Sequence, residues 1–549
     1  MNEEQKSIFV EKSKFSVVII PLTFIWLMTA FCVLIYIFDL IEFVKANNLM
    51  VIDNDFIILS IWAVPAGISF SCTGMFIDYY PRLLRSIATY SFLGCSLSLL
   101  LNMIALGISN AFLMIITLAS MGFFTGVLAI SGQTIYGLIV NEKDRAKTYA
   151  IVIFLFAWIS LSLILITGLF GFDFFFPLIL VALLGIFLSV VFHFLSEQIS
   201  LTLKSEKDDI WPTRLVQILI RPSVISYFWS HTLIWVMFGL MIGSLAQVGK
   251  DLNFTGFFGI EIGDYKAFWV IILIGSFATV LISGYITDTW GRKTSIIIAT
   301  YGIVFASLLV GILSLEFSFI LSTLIIGASF ALINASLDSS LWIDLASRDS
   351  LGRYASLGFE SFGLGFIIGF IISYWLYIPL YPVVLEYNVF ILIGLAVLAS
   401  LPLFWVSDSF PPLKFFLLLI IDKAGIPVFN YDFRSGKILH IDLPLISGAL
   451  SAVGSFMLEA TGEKDARLDL VRHGSNFILT DSNEVGLSAA IFANKNDIEL
   501  QRFLRKFLNM FVQKYKDVLL EWDGNVRAFD DAINDAEEIF GPLIAIIPE

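Results

Sequence analysis

Gly284-Tyr285-Ile286-Thr287-Asp288-Thr289-Trp290-Gly291-Arg292-Lys293 is a short connection, ending in two cations, between two long apolar stretches. Gly74-Met75-Phe76-Ile77-Asp78-Tyr79-Tyr80-Pro81-Arg82 echoes it in the same kind of setting. The glycines and the aspartates of the two copies are both offset by 210 positions, and a second pair, Arg145 and Arg353, is offset by 208. The chain therefore reads as a duplicated unit in which the two connections are equivalent joints.

The apolar stretches set the class. Of 549 residues, 58% are hydrophobic and 14% charged, with a mean hydropathy of +0.89, against about 25% charged in an ordinary soluble domain. A soluble enzyme is excluded. The charges are unevenly spread: residues 1–411 hold 19 Lys+Arg and 26 Asp+Glu, and residues 412–549 hold 14 and 20. The first part reads as membrane and the second as soluble, and neither has the cationic excess of a nucleic-acid binder. Cys32, Cys72 and Cys95 lie in apolar stretches without paired spacing, so they read as buried small apolar side chains, with no metal site or cofactor.

A bilayer core takes about 20 apolar residues per helix. Twelve such segments are expected, at 16–38, 56–78, 84–107, 112–140, 149–170, 174–195, 223–247, 267–288, 294–314, 317–346, 354–379 and 388–407. A polar linker at 196–222, with Lys204, Lys207, Arg214 and Arg221, divides them into an N-terminal half (1–195) and a C-terminal half (223–411). The first segment is too long for a signal-peptide core and reads as a retained helix. With the N-terminus inside, sixteen Lys and Arg of residues 1–411 fall in cytoplasmic connections and only Lys45, Lys250 and Lys266 outside, the asymmetry that orients membrane proteins. Both termini are then expected in the cytoplasm of a multi-pass protein of the cell membrane.

The second connection resembles the Gly-x-x-x-Asp-Arg/Lys-x-Gly-Arg-Arg/Lys signature of the major facilitator superfamily, at the place that family uses, and the first resembles a weaker copy. The resemblance covers about residues 10–410. It implies two six-helix halves around a central cavity, and transport by rocking one half against the other. Pro81, Leu83 and Thr289 depart from the signature. Physically, the glycine lets two helices approach, and the aspartate sits near a neighbouring helix N-terminus, where the macrodipole favours negative charge. Cations one turn on clamp it. Gly74, Asp78 and Arg82, with Gly284, Asp288, Gly291, Arg292 and Lys293, and with Arg145 and Arg353, are thus expected to form a cytoplasmic gate. For Arg82 and Arg85 the rival reading is a topology signal alone.

An ionisable residue inside a span is a functional hypothesis by default. His231, Asp338 and Glu360 qualify, all in the second half. Glu360 stands in the Gly-rich run Gly358 to Gly365, and Asp338 or Glu360, desolvated, would carry a proton. The bland reading of Asp338 is a wet vestibule, and that of His231 is packing. Asp344, near Arg348, reads as a surface charge. Asn102, Gln133 and Asn334 are uncharged cavity candidates, together with Trp26, Trp62, Trp158 and Trp235. No Lys or Arg is placed within a span to clamp an anion, so the expected substrate is a small non-anionic solute.

Residues 412–549 change grammar. Lys414–Ile421 and Ile426–Tyr431 flank the turn signal Asp422 to Gly425 as a hairpin. A helix follows from Asp442, with Leu443, Ile446, Leu450, Val453 and Met457 at helical spacing. Strands near 466–473, 476–481 and 485–493 come next, then helices at 498–522 and 528–540. This ββαβββαα order implies a five-stranded antiparallel sheet and resembles the longin fold, whose domains dock partners such as small GTPases. Neither His440 nor His473 has a nucleophile at a recognisable spacing, and no P-loop occurs.

The expectation is an all-α bundle of 12 transmembrane helices (6+6) with a cytosolic α+β tail: a secondary transporter in the lipid bilayer, coupled to protons through Asp338 or Glu360. The alternative is a membrane-anchored scaffold that positions the tail for GTPase or trafficking partners.

Overall fold

A computed structural model describes residues 19–24, 26–27, 55–170, 175–198, 218, 221–251, 256–257, 260–261, 264–312, 315–346, 350–373, 383–406, 408, 413–433, 443–461, 470–474, 476–483, 486–520, 522, 524 and 526–543. Eleven long helices form the bundle among these residues. They are α1 Asp55–Tyr79, α2 Leu84–Gly107, α3 Ala111–Ile139, α4 Arg145–Phe170, α5 Phe175–Gln198, α6 Pro222–Asp251, α7 Asp264–Trp290, α8 Arg292–Ile312, α9 Leu315–Ile333, α10 Leu351–Ile372 and α11 Val383–Phe404. Nine spans among the described residues are long and apolar enough to cross a membrane. Only residues 19–24 and 26–27 of the first expected segment are described, and they are helical.

Helices α1, α2, α3 and α5 pack together as one half, and α6 to α11 as the other. The halves meet along two seams, α1 against α10 and α4 against α7. Each seam has a signature glycine at its tightest point. A Cβ on Gly74 would run into the Gly352 backbone and the Ser356 hydroxyl, and one on Gly284 into Ala150 and the Ala146 carbonyl.

Two helices start a turn before hydropathy places them, at Arg145 rather than 149 and at Leu351 rather than 354. A cation at a helix N-terminus opposes the macrodipole, so hydropathy assigns it to a loop. Here carboxylates from the opposite half cap both N-termini and draw Arg145 and Arg353 into the helices. Within the tenth expected segment α9 runs into a π-helix, Asn334–Leu341, and a last turn, Trp342–Leu345. Such bulges free a carbonyl and gather at functional sites. Of the cysteines, Cys95 is buried but Cys72 is exposed, which corrects the expectation for it: it stands on the outer face of α1. Cys32 lies outside the described residues.

The tail consists of β1 Phe415–Ile421, β2 Pro427–Asp432, α12 Leu443–Thr461, β3 Leu470–His473, β4 Asn476–Ser482, β5 Ser488–Ala493, α13 Ile498–Lys514, α14 Lys516–Leu520 and α15 Ala532–Phe540. The strands form one antiparallel sheet in the order β2-β1-β5-β4-β3. Central β1 is an unbroken apolar run because both its faces are covered. Leu418 and Ile420 face a core with Leu504, Phe507, Phe511 and Phe540, while Leu417, Leu419 and Ile421 face Ile446 and Leu450 of α12. The β1–β2 turn closes on Asp422, whose Oδ1 accepts from the backbone of Ala424 (2.9 Å) and Ile426 (2.7 Å), with Gly425 at φ +81°. Helix α13 buries Leu500, Leu504, Phe507, Leu508 and Phe511 as one stripe.

Phe507 sits at the centre of the tail core and is fully buried. Phe507→Ala is expected to destabilise the tail by about 3–5 kcal/mol, read as earlier proteolysis within 413–543 while the bundle stays resistant.

Candidate functional site

The first of the two expected gate clusters lies at the end of α1. Asp78 Oδ1 accepts from the Gly352 N–H (2.7 Å), and Oδ2 accepts from the Arg353 N–H (3.1 Å) and Arg353 Nε (2.9 Å). One carboxylate of the first half thus caps α10 of the second half. It also takes its guanidinium from that helix. Arg82 lies on the exposed side of the turn Pro81–Leu83, and Asp78 pairs with a guanidinium 275 residues away.

The second expected gate cluster inverts the roles. Asp288, at the end of α7, accepts from the Ala146 N–H (3.1 Å) and Lys147 N–H (2.9 Å) at the start of α4, and from Arg292 Nη1 (2.6 Å). Arg292 Nε also donates to Asp344 Oδ2 (2.9 Å), and the other oxygen of Asp344 pairs with Arg145. Asp344 is buried, which corrects its reading as a surface charge: it is the centre of a four-residue network with Arg145, Arg292 and Asp288. Burying two guanidinium groups is costly unless each is paired and hydrogen-bonded, and Asp344 meets both. Gly291, at φ +96°, turns the chain so that the N–H groups of Arg292 and Lys293 reach the carboxylate of Asp408 (3.2 Å each).

A second polar cluster, nine residues into α6 from the signature end, joins the halves. His231 of α6 is fully buried. Its Nε2 lies 2.7 Å from Asp338 Oδ1, and its Nδ1 lies 2.6 Å from the Ser361 hydroxyl and 3.2 Å from Trp342 Nε1. An indole N–H can only donate, and one faces each ring nitrogen: Trp342 Nε1 at Nδ1 and Trp235 Nε1 at Nε2 (2.9 Å). Trp235 Nε1 also stands 3.4 Å from Asp338 Oδ1. Among the described residues, Asp338 Oδ2 is buried without a hydrogen-bond partner. From the first half, Gln133 Nε2 donates to the Asp338 carbonyl at 3.0 Å, within the π-helix.

The remaining candidates lie elsewhere. Glu360 Oε1 accepts from Ser71 (2.6 Å) on the α1–α10 seam. Asn334 donates to Phe330 of its own helix, and Asn102 ties α2 to Met114 and Thr117 of α3. Trp26, which donates to Tyr149 (2.9 Å), and Trp235 are buried, Trp62 is half-buried and Trp158 is exposed. Among the described residues no group of three metal-type ligands occurs.

Residues 15–370 match the family model described as the Major Facilitator Superfamily. The chain belongs to that superfamily. Among solved structures it is similar to a bacterial homologue of the iron transporter ferroportin in an outward-facing state, at 13% identity and a TM-score of 0.57, over 72% of this chain and 98% of that one. It is likewise similar to a double-tryptophan mutant of XylE, at 12% identity and a TM-score of 0.54, over 72% and 94%. At those identities the likeness shows the fold. No curated protein matches. As a Major Facilitator Superfamily protein it is a multi-pass membrane transporter and not an enzyme.

In this superfamily member, sequence reasoning missed Asp344, Asp408, Ser361 and Trp342. The one available signal was that Asp344 follows Asp338 at the end of an apolar segment that has few other charges. Arg221 was assigned to the linker, yet it is buried and donates to the Leu345 carbonyl (3.0 Å) and the Tyr354 hydroxyl (2.6 Å). Burial works against its charge, but Tyr354 and Glu499 outweigh burial and raise its pKa above the ordinary arginine value.

Removing Asp344 strands two buried cations. Asp344→Ala is expected to destabilise the bundle by about 3–5 kcal/mol, measured as a lowered thermal unfolding midpoint in detergent, with Asp344→Glu retaining part of the stability.

Proposed function

We propose that this protein is a proton-coupled carrier of a small, non-anionic solute. It works by alternating access in the cell membrane, with its signature end, both termini and the tail in the cytoplasm. The observation that carries the reading is the His231–Asp338 pair, buried between the halves with Asp338 Oδ2 open to receive a proton. Protonation at that oxygen neutralises the carboxylate and weakens its hold on His231 and on Trp235. The Gln133 contact with the Asp338 carbonyl links that change to the opposite half.

Both gates are closed at the signature end, which agrees with an outward-facing arrangement of the kind named for the ferroportin homologue. Among the described residues, the buried cations of the two gates, Arg145, Arg292 and Arg353, are engaged by Asp344, Asp288 and Asp78. The central cluster contains no cation, which supports a neutral or cationic solute over an anion.

The tail's sheet and flanking helices support a longin-like docking domain, for which a small GTPase or a trafficking protein is the proposed partner. A second reading, a membrane-anchored scaffold, is favoured by one observation. Helix α12 turns Leu445 (75% exposed) and Phe456 (68%) away from the sheet.

Vesicles with an imposed proton gradient test the carrier. Substrate-driven proton flux is expected to be lost in Asp338→Asn and to survive in Glu360→Gln, because Glu360 lies on a seam and not in the central cluster. Flux unchanged in Asp338→Asn overturns the proton assignment. Absence of flux with every solute class, together with nucleotide-dependent capture of a GTPase by the full-length protein, favours the scaffold.

A further inference from the structure

The tail does not hang free of the bundle. It meets the signature end through residues at and just before the start of α13. Glu499 accepts from Arg221 Nε (3.2 Å) and Nη2 (3.3 Å) and from the Ser223 hydroxyl (2.6 Å). Lys495 Nζ donates to the Asp408 carbonyl (2.7 Å), and Asp408 is the residue whose carboxylate caps α8 at Arg292 and Lys293. Arg221, Ser223, Asp344, Asp408, Glu499 and Arg502 all line one cleft at this junction.

Arg221 makes the junction matter. Its Nη1 holds the Leu345 carbonyl and the Tyr354 hydroxyl, at the two ends of the connection between the last turn of the tenth segment and α10. Leu345 follows Asp344, which receives Arg145 and Arg292. Tyr354 follows Arg353, which receives Asp78. One guanidinium therefore fixes the neighbours of the second-half residues on which both gates close. Its side chain is 6% exposed and that of Glu499 is 12%, so the pair is shielded from the screening that makes surface ion pairs weak.

We propose that the tail stabilises the closed gate: Glu499, acting through Arg221, holds the Leu345-to-Tyr354 connection in the position that Asp78 and Arg145 require. The inference rests on reading the two clusters as a transport gate, and on nothing about the solute. Among the described residues, the bundle residues that line this cleft belong to the second half, so the tail travels with that half and sets its gating face. Anything that draws the start of α13 away from Arg221 then favours opening of the signature end, as a population shift. Glu499 and Arg221 are positioning residues here, since neither forms a gate pair itself.

The test is a distance measurement on the full-length protein in lipid nanodiscs. Spin labels go on Tyr80→Cys and Trp290→Cys, exposed signature-end positions on opposite halves, in a background without native cysteines. Glu499→Gln is expected to raise the ratio of open to closed distances about tenfold, the effect of losing one charge-assisted hydrogen-bonded pair. Arg221→Lys, which keeps the charge and loses the fork, probes the contact from the bundle side should Glu499→Gln unfold the tail. Lys514→Ala breaks an ion pair with Asp535 at the far end of α13 and is expected to leave the distances unchanged. The proposal is overturned if Glu499→Gln and Arg221→Lys keep the wild-type distribution with the tail folded, or if Lys514→Ala shifts it equally. Asp78→Asn and Asp288→Asn separate the two failures. Wild-type distances in those variants would overturn the gate reading itself, whereas a shift in them alone would overturn only the role of the tail.

Discussion

An aspartate of one half caps a helix of the other, twice and in opposite directions. That is the constraint on which the closed arrangement depends. Asp78 holds the start of α10, and Asp288 holds the start of α4. The N-terminal N–H groups of a helix have no partners within it, so each cap satisfies donors that would otherwise face a dry seam. The interaction also suits a joint that must open. The dipole contribution is about 0.3–1 kcal/mol at an exposed site and rises to about 2 when partly buried. When the halves part, water can serve the same N–H groups. Both glycines follow from this constraint, because a carboxylate one turn along reaches the opposite backbone only if the helices touch, and a Cβ at Gly74 or Gly284 would hold them apart.

The duplication is faithful in the caps and broken in the cations. At the first gate the guanidinium is that of Arg353, on the capped helix. At the second, the equivalent Arg145 turns to Asp344, and Asp288 takes Arg292 from its own connection. Among the described residues the second cluster is therefore a four-residue network, and the first is built on the Asp78–Arg353 pair. Networks of this kind gain or lose their members together, so the second gate gives an all-or-none contact and the first a more yielding one. Pro81 and Leu83 in the first connection agree with that division. The aspartate of the first connection takes its cation from the opposite helix.

The periodic features were legible in the sequence, because they are local. Segment lengths, the 210-residue echo and the placing of Gly284, Asp288 and Arg292 in one joint needed only spacing and hydropathy. The tail strands were legible too, since turn residues such as Asp422 and Gly425 mark their ends. What was not legible is who pairs with whom across the seam. Asp78 and Arg353 are 275 residues apart, and no local pattern connects them. Asp344 was misread because its neighbours, Arg348 and the end of an apolar segment, look the same whether the charge faces water or two guanidiniums from other helices. The early starts of α4 and α10 were hidden for the same reason: a cation at a helix N-terminus reads as a loop until its capping carboxylate is in place.

The central cluster and the gates are joined by a single segment. The π-helix carries Asp338, and the turn that follows it carries Trp342 and Asp344. His231 and Gln133 hold one end of this segment, and Arg145 and Arg292 hold the other. A π-helix has a wider, less regular hydrogen-bond ladder than the α-helix on either side, so it is the part of the tenth segment best able to change register without unwinding. Six residues on from Asp338 along that segment, Asp344 holds the two cations Arg145 and Arg292. The Arg221–Glu499 contact grips the next residue in that line, Leu345. The central cluster, the signature-end network and the tail contact thus all bear on one stretch of backbone, Asn334 to Leu345, and a rearrangement of that one segment is the most economical way for all three to influence each other.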